Sequence, residues 1–129
     1  MGKYERNYGT SPIFSYDNAA LTDSNIKNVT WESADATSKK YLPFDSCLIS
    51  NNGEDDIIVY PNQNSSSGIL VRKNTEKAIN RNTVPAWSSF GYKRNGTTNI
   101  TASTVKFSFW KEGVDSDSVA RLVHKRIFG

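Results

Sequence analysis

The 129-residue sequence holds one cysteine, Cys47, and one histidine, His124. A single thiol cannot close an intramolecular disulfide, and one thiol with one imidazole cannot complete a Cys/His zinc site. A nucleophilic hydrolase needs a base beside its serine or cysteine, and no G-x-S-x-G elbow occurs. His124 sits in a basic tail, where a polar position on a terminal helix explains it. Cys47 lies in the strand-like CLIS, which suits a buried, inert thiol. Long apolar runs are missing too: nothing approaches the ~20 apolar residues that span a bilayer. The opening MGKYERNYGT has no apolar run of signal-peptide length. Gly2 carries no myristoylation signal, because Arg6 stands where that motif wants Ser or Thr. The expectation is a chain made in a cytoplasm, with no membrane partner, no metal and no cofactor.

Net charge is also scarce. The formal value of +3 is accounted for by Arg121, Lys125 and Arg126 near the end of the chain, and the remainder balances. A broad basic face for nucleic acid is therefore not expected; only that tail could meet phosphates, without reading sequence.

What the sequence does contain is strand signal. From Tyr41 onward come CLIS, the turn NNG, IIVY, a polar loop, ILV, a short piece around KAI, VPAWSSFGYK, the turn RNG, NITA and STVKFSFWK. β-branched and aromatic runs punctuated by Asn-Gly turns indicate an all-β, antiparallel domain, either sandwich or barrel. In STVKFSFWK, Val105, Phe107 and Phe109 share one face, and Lys106, Ser108 and Trp110 share the other. The first face is expected in the core. In VPAWSSFGYK, Val84, Ala86, Phe90 and Tyr92 are expected inward, leaving Trp87 on the outer face.

Three regions follow. Residues 1–40 read as an extended N-terminal arm with one or two short strands at IFSY and NVTW, residues 41–112 as the sandwich core, and residues 113–129 as a short amphipathic helix and tail. In the last region Val119, Leu122, Val123 and Ile127 recur at helical spacing. Asp115 or Ser116 can cap its start, and a helix this short needs a surface to lie on.

The acidic runs GEDD and DSDS offer carboxylates to a hard cation such as calcium, but neither extends into an EF-hand loop. A solvated hairpin end and a helix cap explain them. Sequons at Asn28, Asn64, Asn95 and Asn99 are about as many as an Asn- and Ser/Thr-rich composition produces.

The apolar strands are more informative. A two-sheet sandwich gives each strand one buried face, so apolar and polar residues should alternate. Ile57, Ile58, Val59 and Tyr60, and then Ile69, Leu70 and Val71, do not alternate. Such strands need cover on both faces, from the arm, the terminal helix or a neighbouring subunit. With Trp87 and Trp110 they form the expected interface set.

The ordering LISNNGEDDIIVYPNQN, SSSGILV and NGTTNITASTVKFSFW resembles small β-sandwich structural proteins of bacterial and archaeal virus particles, over roughly residues 44–110. The resemblance implies a jelly-roll-like sandwich in a virion, as a minor capsid, vertex or decoration subunit whose termini lace subunits together. The expected function is thus non-enzymatic: a homo-oligomer that meets other virion proteins, made in the host cytoplasm. Arg121, Lys125 and Arg126 would then touch a partner or packaged nucleic acid. The alternative is a carbohydrate-binding or host-attachment module that stacks Trp87, Trp110, Tyr92 and Tyr60 on a glycan.

Overall fold

The computed structural model describes residues 13–31 and 41–112, and within them the chain forms eight strands. They are β1 (Phe14–Asp17), β2 (Lys27–Val29), β3 (Ser46–Asn51), β4 (Ile57–Pro61), β5 (Ile69–Val71), β6 (Thr75–Ile79), β7 (Phe90–Arg94) and β8 (Val105–Trp110). β4, β7 and β8 are built on the β-branched or aromatic residues that pack well on a pleated surface, and β3 carries Ile49 as its single β-branched residue. Two four-stranded antiparallel sheets result, with orders β1-β8-β3-β6 and β2-β7-β4-β5. The architecture is a β-sandwich.

The pairing is nested. β4 pairs with β5, β3 with β6, β2 with β7 and β1 with β8, as in one long hairpin folded over on itself. Lateral pairs β3–β8 and β4–β7 then join the arms within each sheet. Residues expected to form an arm supply β1 and β2, which lie at sheet edges.

Alternation sets the core. Val105, Phe107 and Phe109 of β8 are buried, as the sequence predicts, and face Ile49 and Cys47 of β3 in register. From the other sheet come Ile57, Val59, Val71, Phe90 and Tyr92, all at most 1% exposed. Rings fill the space between. Phe109 lies 4.9 Å from both Trp31 and Phe90 and 5.2 Å from Trp87, and Phe107 lies 5.0 Å from Phe90. Such ring pairs each add roughly 0.5–1.5 kcal/mol beyond the area they bury.

Two expectations are corrected, and a third lies outside the described residues. Residues 84–87 do not continue β7 as a strand, and Trp87 is fully buried, joined to Phe44 by an isolated bridge. Ser88 and Ser89 leave the ladder, so the strict alternation that would have put Trp87 opposite Phe90 does not apply across them. NITA is no strand either; Ile100 makes a single bridge to Leu21. The expected C-terminal helix, the basic residues Arg121, Lys125 and Arg126, and His124 lie outside the described residues.

Candidate interaction surfaces

The sandwich has two ends. One gathers the β3–β4, β5–β6 and β7–β8 loops with the start of the β1–β2 connection, and here the acidic run finds its use. Both carboxylate oxygens of Glu54 accept from the Thr101 backbone N–H, and the Thr101 hydroxyl donates to Oε2 at 2.5 Å. Asp55 Oδ2 accepts from Gly96 N–H at 3.0 Å, and Asp56 Oδ1 from Lys73 N–H at 2.8 Å. Each carboxylate therefore ties the β3–β4 loop to a different neighbour. The Thr101 hydroxyl, then its N–H, hold the Glu54 carboxyl below the usual carboxylate range, although Glu54 is exposed. Through these bonds the three carboxylates clamp the loops together. Among the described residues no three His, Cys, Asp or Glu side chains come together as a metal cage would require.

Two buried asparagines complete this end. Asn18, 2% exposed, donates through Nδ2 to the Ala19 and Thr101 carbonyls and accepts through Oδ1 from Thr104 and Val105 N–H. Asn51 donates to the carbonyls of Asp55 and Val71 and accepts from Gly53 N–H, bridging β3 to β5 in the other sheet. Both the nitrogen and the oxygen of each side-chain amide find backbone partners, which is the condition for a polar side chain to be stable inside. Sequence reading missed both residues, since an isolated Asn beside a turn looks like any other turn former.

The opposite end holds the β4–β5 and β6–β7 connections. Here the loop NQNSSSG is anchored at its base rather than being wholly a solvated tip. Asn62, at φ 56°, donates to the Ala86 carbonyl and accepts from both the N–H and the hydroxyl of Ser88. Asn is one of the few residues that adopts this left-handed backbone readily. Pro61, Gly68, Ile69, Val84 and Pro85 line a shallow groove between the two connections.

The expected interface residues separate into two groups. Ile57, Val59, Val71 and Trp87 are interior, covered by the chain itself. Ile69, in register with Val59, is half-buried and packs against the core from its rim. On the outer face, Ile58 is half-buried, Leu70 is 38% exposed, and Trp110 is half-buried with its indole N–H donating to Glu112 at 2.7 Å. Tyr60 also lies at an outer-face position, opposite Gly91, yet is only 6% exposed. The chain covers it: a Cβ at Gly68 would stand 2.7 Å from Ile58 Cγ2 and 3.0 Å from Tyr60 Cε1, so only glycine lets this backbone lie so close. Part of the cover that IIVY needs thus comes from its own loop.

The proposed stacking platform is dispersed. Trp87 and Tyr92 are core rings, and the Tyr92 hydroxyl is 3.0 Å from that of Tyr16 and accepts from Ala19 N–H at 2.8 Å. Burial, with the Tyr16 hydroxyl beside it, pushes the Tyr92 phenol up. Cys47 is buried as its strand position suggested, and burial pushes its thiol up, away from the reactive thiolate.

The sheet edges carry a further signal. Lys77 of β6 is in register with Ile49, and Lys27 of β2 with Tyr92, so each lysine occupies a core-facing position on a free edge. Both are exposed. Charges placed this way discourage another strand from adding to the edge. No protein-family model, curated protein or solved structure matches the chain.

Proposed function

We propose that the chain is a jelly-roll structural subunit of a virus particle, acting as a minor capsid, vertex or decoration protein and not as an enzyme. The observation that carries this reading is the strand order. A jelly roll is an eight-stranded double sheet of antiparallel strands, and the fold recurs in viral capsid and lectin domains. Nested pairs β1–β8, β2–β7, β3–β6 and β4–β5, divided into the orders β1-β8-β3-β6 and β2-β7-β4-β5, match a long hairpin rolled into such a sandwich.

Two further features favour the structural role over the fold's other uses. The inter-sheet space is packed with rings at centroid distances down to 4.9 Å, which suits a rigid building block better than a container for a small molecule. Two of the four aromatic residues that a glycan platform would need, Trp87 and Tyr92, are spent on that interior. One fold serves many functions, so the reading stands on an experiment. Particles banded from cells that carry this sequence should contain the chain, co-sedimenting with nuclease-protected genome. Its confinement to the soluble fraction while particles form normally would refute the reading.

A further inference from the structure

The two sheets leave four free edges, β1, β6, β2 and β5, and these differ in what they offer another strand. β6 and β2 carry Lys77 and Lys27 at core-facing register. A two-fold pairing centred on β6 would also set Lys77 against its own copy, and directly opposed like charges are destabilising. β1 turns its apolar Phe14 and Tyr16 toward Phe109 and Phe107, and presents only Ser15 and Asp17 outward. β5 differs from all three: Ile69, Leu70 and Val71 include no charge, and Leu70, paired with the half-buried Ile58, is one of two large exposed apolar residues among those described.

We infer that β5 is a self-pairing edge, through which two copies of the chain join their β2-β7-β4-β5 sheets into one continuous sheet across a two-fold axis at Leu70. This rests on the assembly reading above and narrows it to one contact. The sequence of the edge selects a second copy as the occupant. Antiparallel pairing about Leu70 sets Leu70 against the partner's Leu70 and Ile69 against the partner's Val71, apolar against apolar on both faces. One residue further out it sets Gly68 against the partner's Arg72, which leaves room for the longer side chain. Beside the edge runs a groove lined by Leu70, Arg72, Thr75, Glu76 and Lys77. It holds both signs of charge, so an identical groove brought up by the two-fold can answer Glu76 with a basic residue. Such an isologous contact closes at two copies.

Sedimentation velocity on the full chain from roughly 10 µM to 1 mM should show the mass of two chains growing in with concentration. Leu70→Lys, at an exposed position, should weaken the dimer by roughly tenfold or more while leaving the unfolding midpoint of the single chain in place. Leu70→Cys should form a covalent dimer under oxidised glutathione, since facing residues of antiparallel strands lie within disulfide reach. Ala78→Cys, exposed on the neighbouring β6, should not; Cys47 is buried and does not interfere. An oligomer that forms normally with Leu70→Lys overturns the β5 contact and leaves the particle reading standing. Equal cross-linking at positions 70 and 78 overturns it as well. A chain that stays single across the whole range refutes the contact, while its presence or absence in banded particles judges the broader reading separately.

Discussion

Asn18 is the residue whose loss should cost most for its size. Its amide makes four hydrogen bonds at 2.9 to 3.1 Å, two donated to the Ala19 and Thr101 carbonyls and two accepted from Thr104 and Val105 N–H. Asn18→Ala removes all four partners at once. A buried group left unsatisfied costs about 1–3 kcal/mol. Thr104 is only half-buried and water can reach its neighbourhood, so the full multiple is not expected. Counting two groups at the middle of that range gives about 4 kcal/mol, a large part of the ~5–15 kcal/mol that holds a domain together. In urea, with a slope of roughly 1.5–2 kcal/mol per M, the midpoint should fall by about 2 M at constant slope. Asn25→Ala, at an exposed position, serves as the control and should stay within about 0.5 kcal/mol. A loss below about 0.5 kcal/mol for Asn18→Ala would mean that the loop backbone is satisfied without it, and the account of this end as a polar clamp would fail.

Two other changes test other parts of the structure. Phe109→Ala empties a fully buried ring site that touches Trp31, Phe90, Trp87 and Phe44, and should cost about 3–5 kcal/mol by thermal or denaturant unfolding. Glu54 gives a pH signature. Its carboxyl titrates lower in the folded chain than in the unfolded one, so its contribution is complete above the unfolded value and is lost as pH falls through the folded one. Glu54→Gln should therefore flatten part of the acid limb of a melting-temperature profile and leave the profile near neutrality parallel to that of the parent; an unchanged acid limb would contradict the Thr101 clamp.

Much of this fold could be read from period-two patterning. The inward face of STVKFSFWK and the existence of strands at CLIS, IIVY, ILV and KAI follow from alternation and β-branched residues, and they are found where expected. The meaning of the double-faced run IIVY was harder to read. Its inner residues, Ile57 and Val59, behave as any sandwich strand, but the cover over Tyr60 comes from Gly68 eight residues on, and over Gly91 from Asn28 of β2 and Ile26 just before it. Cover of this kind is a property of pairs distant in sequence. The acidic run GEDD has the same character: the sequence offers carboxylates, and only the approach of Thr101, Gly96 and Lys73 makes them backbone acceptors.

By itself the sequence determined most of the strands, β3, β4, β5, β6 and β8 among them, and which side of β8 can face oil, because both depend on neighbours one and two residues away. Tertiary structure decided the rest. Trp87 is the plainest case: local alternation puts it with the polar residues, yet its N–H donates to the Phe44 carbonyl at 2.6 Å, its own carbonyl accepts from the Trp31 indole at 3.1 Å, and its ring meets Phe109. Ser88 and Ser89 break the ladder between Trp87 and Phe90, and once the chain leaves the ladder its parity is no longer set by pleating. The burial of so large a ring then follows from the space available between the sheets, which the other strands define.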